Sequence, residues 1–96
     1  NHIHAVVKPL TRQDGSPEPL NRIMQSLKRY TARTSNKILG REGSFWQEET
    51  YDHVVRNENE LARIIRYVLN NPVKANLIPT WQAWRWTYVD RMHRPT

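Results

Sequence analysis

Asn1-His2-Ile3-His4-Ala5-Val6-Val7-Lys8 opens the chain, and the reading of this stretch decides the fold. In an extended strand alternate side chains share a face, so His2 and His4 would project together while Ile3 enters the opposite layer. The run Ala5-Val6-Val7 carries the pattern on, and Pro9 stops it. Read as a strand over His2 to Lys8, the segment requires a sheet. Neutral imidazole is the commonest metal ligand, so two on one strand supply two-thirds of a small metal site. An isolated His-x-His also fits an exposed pair at a chain end. A third ligand and a reacting group must decide.

Outward from this strand, Thr11 to Pro19 is a turn-rich loop with Asp14-Gly15 and two prolines. Ser16 is placed to cap a helix, with Pro17 at its first position. From about Glu18 to Leu39 the residues Leu20, Ile23, Leu27, Tyr30 and Ile38 recur at helical spacing. The opposite side carries Arg22, Lys28, Arg29, Arg33 and Lys37, and Gly40 ends the helix. Phe45-Trp46-Gln47 starts a second extended segment, whose later part, Tyr51-Asp52-His53-Val54-Val55, is rich in strand formers. Tyr30 reads as core and Tyr51 as a strand residue, while His53 reads as a polar strand residue, with a ligand role as the alternative.

Asn57 followed by Glu60 has capping-box spacing and opens a second helix, about Glu58 to Asn70. Leu61, Ile64, Ile65 and Val68 form its apolar stripe, and Pro72 disfavours helix at Asn71. Tyr67 and Asn71 sit one turn apart at the margin of that stripe, about 40° from each other. A phenol is a poor nucleophile without a base or a metal, and an amide oxygen suits a hard cation. His2, His4 and Asn71 could thus complete a three-ligand site open to a phosphate oxygen. A tyrosine packed at a helix edge and an asparagine at a helix stop fit the same residues.

Composition bounds these readings. The 96 residues suffice for one domain with a modest core, and four Trp and four Tyr can fill it. Fifteen Lys and Arg against nine acids give a net charge of +6, which favours polyanions such as nucleic acid. Cysteine is absent, so disulfides and thiolate metal sites are excluded, and a reducing cytoplasm is expected. No stretch approaches the roughly 18 apolar residues of a membrane span. The chain lacks an initiator Met and opens within the expected strand, so it reads as a fragment. Trp81, Trp84 and Trp86 are expected to cover the core as a Trp-rich tail over 81–96, with base stacking as the other possibility.

Several segments, in order, resemble one family. Asn1-His2-Ile3-His4, Leu27-Lys28-Arg29-Tyr30, Phe45-Trp46-Gln47, Asp52-His53-Val54-Val55-Arg56 and Arg66-Tyr67-Val68-Leu69-Asn70-Asn71-Pro72-Val73-Lys74 look like the single-tyrosine HUH transposases of the insertion-sequence type. The branch associated with repetitive extragenic palindromes is the most similar, and Trp84-Arg85-Trp86-Thr87-Tyr88 resembles it too. The resemblance implies an α+β fold: a ferredoxin-like antiparallel sheet with helices on one face. It implies a bacterial, cytoplasmic DNA transposase that cuts and rejoins single-stranded DNA beside hairpins.

By that resemblance His2 and His4, with Asn71, would hold Mg²⁺ or Mn²⁺. Tyr67 would attack the phosphodiester to give a 5′-phosphotyrosine and a free 3′-hydroxyl. Arg22, Lys28, Arg29, Arg33, Lys37 and Lys74 would meet the DNA phosphates. Family members carry a further strand-helix-strand segment before the HUH strand, absent here. The chain is therefore expected to be the C-terminal portion of an HUH domain, truncated at its N-terminus. A homodimer could repair the sheet. A non-catalytic nucleic-acid-binding module and an inactive transposase remnant are the alternatives.

Overall fold

The computed structural model describes residues 1–48 and 50–95. They form two helices, α1 (Leu20–Leu39) and α2 (Glu58–Lys74), and two short 3₁₀ turns, Trp81–Ala83 and Arg91–His93. The expected ferredoxin-like antiparallel sheet is not found. Among the described residues there is no β-strand, only an isolated antiparallel bridge between Thr11 and Pro17. His2 to Lys8 and Tyr51 to Val55, both expected as strands, lie in irregular backbone. Strand-forming residues favour a pleated, half-buried surface, and that preference is realised only when neighbouring strands complete the ladder. Here the apolar side chains of the first segment face solvent: Ile3, Val6 and Val7 are all exposed.

The residues fall into two compact units. One, Val7–Asp52, is built around α1. Its helix starts at Leu20 behind Pro19, which supplies no side-chain cap. Ser16 does not cap it, because Asp14 captures both its amide and its hydroxyl, at 2.9 and 2.6 Å. These bonds hold the Asp14 carboxyl below its ordinary pKa. Arg12 and Glu18 close the same loop through a 3.0 Å ion pair. At the far end Gly40, at φ +65°, adopts the left-handed conformation, and the amides of Gly40 and Arg41 both reach the Asn36 carbonyl.

The segment after α1 returns along it. The Trp46 indole N–H donates to the Thr31 hydroxyl at 2.8 Å, and Asn36 Nδ2 donates to the Gly43 carbonyl at 2.9 Å. No residue of α1 is fully buried. Tyr30, expected in the core, is exposed, as are Leu27 and Ile38 of the same stripe.

The other unit joins Asn1–Val6 to His53–Thr96 and is built around α2. Asn57 caps this helix through its side chain, which accepts from the Glu60 amide at 2.8 Å. The helix does not stop at Asn71 but continues through Pro72 to Lys74. A proline this close to the C-terminus costs one backbone bond and leaves the final turn to be closed by others. Asn76, at φ +60°, provides the reversal, and the amides of Asn76 and Leu77 return to the carbonyls of Val73 and Pro72 at 3.0 and 2.9 Å. That pair of bonds is a Schellman motif with asparagine at the left-handed position. The expected stripe of Leu61, Ile64, Ile65 and Val68 is half-buried. The buried residues of α2 are Leu69, 2% exposed, and Pro72. The Trp81–Ala83 turn packs against α2. No helix among the described residues is long and apolar enough to cross a membrane.

Candidate functional site

The unit around α2 takes residues from both ends of its sequence, and that composition builds the site. One face of α2 carries Glu60, Arg63, Tyr67, Asn71 and Lys74, which by helical geometry fall within a sector of about 80°. Tyr67 is 55% exposed on this face. The His4 ring meets it edge to face, with centroids 5.7 Å apart and planes at 80°. His2 lies edge-on to His4 in turn, 4.9 Å between centroids. The structure therefore brings His2, His4 and Tyr67 together without a sheet. Such edge-to-face contacts place the electropositive rim of one ring over the face of the next.

His2 Nδ1 lies 2.9 Å from Asn1 Oδ1, which leaves Nε2 for an outside ligand. An outer-sphere contact of this kind orients a ligating imidazole. Asn71, half-buried, stands one turn beyond Tyr67. Among the described residues no three His, Cys, Asp or Glu side chains cluster closely enough to hold a metal ion. A cation here would need the two imidazoles and the Asn71 amide oxygen. Two nitrogen donors and one neutral oxygen fit Mn²⁺ better than Mg²⁺, which prefers oxygen alone.

The other flank of Tyr67 was not foreseen from the sequence. His53 Nε2 and Glu60 Oε1 are 2.8 Å apart, and the same carboxylate accepts from the Arg56 amide at 3.3 Å. The His53 hydrogen bond holds the Glu60 carboxyl below its ordinary pKa, against the opposing effect of partial burial. The Arg56 amide and the nearby His53 and Arg63 charges act in the same direction. His53, Glu60, Arg63, Ile64 and Tyr67 line one open depression of about 350 Å³. It offers a carboxylate, an imidazole, a guanidinium and a phenol over a single apolar residue. The one signal available in the sequence was a capping-box glutamate, but its carboxylate turns to Arg56 and His53 rather than to the cap amide.

The expected DNA-contacting cations divide. Arg22, Arg29, Arg33 and Lys37 are exposed on α1 and fall within a sector of about 80°. Lys28 points elsewhere, its ammonium donating to the Gln47 carbonyl at 3.3 Å and to the Thr50 hydroxyl at 2.6 Å. Lys74 is exposed in the last turn of α2, on the side of Tyr67.

Over 56 residues the chain is 29% identical to a Haemophilus influenzae protein named as a REP-associated tyrosine transposase; the match covers 58% of this chain and 32% of that relative. The chain thus spans about a third of the relative's length. No protein-family model matches the chain, and no solved structure matches it.

Proposed function

We propose that this chain is the Tyr67-bearing portion of a single-tyrosine transposase, which cuts and rejoins single-stranded DNA beside hairpins. The similarity to a protein named as a transposase supports the general class. The observation that carries the finer reading is the edge contact of His4 with Tyr67, with His2 next to it. It sets a candidate nucleophile against two candidate metal ligands on an exposed helix face.

In the proposed reaction the Tyr67 oxygen attacks phosphorus and the P–O3′ bond breaks. The tyrosine proton is given up, the 3′ oxygen leaves and is protonated, and the 5′ side stays joined to Tyr67. Attack of a 3′-hydroxyl on the phosphotyrosine reverses the sequence and rejoins the strand, so no nucleotide triphosphate is consumed. His2, His4 and Asn71 would hold a divalent cation, which supplies charge stabilisation at the phosphate when bound. Arg63 and Lys74, on the same side of α2, lie where phosphates flanking the cut would pass. Arg22, Arg29, Arg33 and Lys37 would track the backbone of the bound strand.

The test is covalent capture. With Mn²⁺ and a hairpin-bearing single strand, the protein should form a denaturant-stable adduct that Tyr67→Phe abolishes. An adduct that persists in Tyr67→Phe, or none in the unaltered protein, overturns the proposal. A second reading, a non-catalytic nucleic-acid-binding module, is favoured by the exposed basic face of α1. It expects no adduct, and salt-dependent binding that survives His2→Ala and His4→Ala.

A further inference from the structure

We propose that the tail Trp81–Arg94 is a separate binding site for an unpaired nucleobase of a single-stranded nucleic acid. A concavity of about 220 Å³ lies here, lined by Trp81, Gln82, Trp84, Tyr88 and Arg94 among others. It is smaller than a pocket for a drug-sized ligand and suits one flat ring system. Trp81 and Trp84 are half-buried, and the turn that carries Trp81 packs on α2, so the aromatic wall is fixed. Tyr88 stands at the rim, 88% exposed. Beside it Trp86 is 71% exposed, with the Arg85 guanidinium 4.4 Å from its ring centroid.

A clasp that only covered a core would hide these last two rings. They face solvent instead, one under a guanidinium and the other at the mouth of a concavity that holds a second arginine. Aromatic faces interleaved with arginines are what a base and its phosphate require. Charge agrees: Arg85, Arg91 and Arg94 oppose one acid, Asp90. Asp90 is itself engaged, accepting from the His93 amide at 3.0 Å and lying 2.7 Å from His93 Nδ1. A lipid surface would be met by a projecting apolar ridge, whereas Trp81 and Trp84 line a hollow. The site does not depend on Tyr67 being a nucleophile.

The experiment is quenching of tryptophan fluorescence by oligothymidylate, titrated without metal against the whole chain. Tyr88→Ala and Trp86→Ala should each weaken binding about tenfold or more, the size of one lost stacking contact. Tyr88→Phe should bind as the unaltered chain does. Tyr67→Phe should also bind normally in this metal-free titration while losing, in the separate Mn²⁺ assay, the covalent adduct, which separates this site from the cleavage reading. Arg94→Gln, a change at an exposed position, tests the same site should either alanine variant lose helical signal, and should weaken binding with a shallower salt dependence. Unchanged affinity in Tyr88→Ala and Trp86→Ala, or quenching by anionic vesicles and not by oligothymidylate, overturns the proposal.

Discussion

His4 lies edge-on to Tyr67, 5.7 Å between ring centroids, although the whole stretch Val7–Asp52 separates them in sequence. An aromatic ring shifts the resonances of protons at its edge and face. Replacing Tyr67 with leucine should therefore move the His4 ring-proton resonances, leaving those of His93 in place. Proton–carbon correlation spectra of the histidine rings check this. His4 shifts that ignore the substitution would place the two rings apart.

The His53–Glu60 hydrogen bond predicts a definite pH dependence. Glu60 has a folded pKa below its unfolded value, so its contribution to stability is complete above that unfolded value. It is lost as pH falls through the depressed folded value. Carboxyl titration by NMR should find the Glu60 midpoint below the ordinary glutamate value. His53→Ala should raise the Glu60 midpoint towards the ordinary glutamate value.

Leu69 is the hydrophobic residue most completely removed from water, 2% exposed. Leu69→Ala should cost about 2–5 kcal/mol through lost transfer energy and the cavity left behind. In so small a core that is a large share of the total stability. Urea denaturation followed by helical circular dichroism measures it, and Leu61→Ala, at a half-buried position, should cost less.

If α1 meets a nucleic-acid backbone, its cations should not be equivalent. Removing Arg29 or Arg33 should reduce the slope of log affinity against log salt by about one each, as expected for a lost phosphate contact. Lys28→Ala should leave that slope unchanged, because its ammonium is already bonded to Gln47 and Thr50. Affinities measured at several salt concentrations decide the matter.

Periodicity made both helices legible, and the chemistry of their ends governed how far each could be read. The start of α1 is less legible, because Ser16 has two possible partners, the helix amides and Asp14, and Asp14 wins. Pro72 suggests a stop at Asn71, but in the last turn of α2 it costs little, and Asn76 supplies the reversal beyond it. Strand propensity misled most. His2 to Lys8 and Tyr51 to Val55 have the composition of strands, but composition cannot supply the neighbouring strand that a ladder needs. His2 and His4 do lie beside Tyr67, but on irregular backbone rather than on the sheet strand that the sequence suggests. The His53–Glu60 pair was missed because its partners span the irregular segment before a helix, where spacing carries no angular information.

The unit around α2 is assembled from Asn1–Val6 and His53–Thr96, so the stretch Val7–Asp52 is, to the site, one long intramolecular tether. Non-covalent packing keeps His4 beside Tyr67, and the tether keeps the two parts of the unit in one molecule. A cut within Val7–Asp52 would therefore let the histidine pair dissociate from its tyrosine.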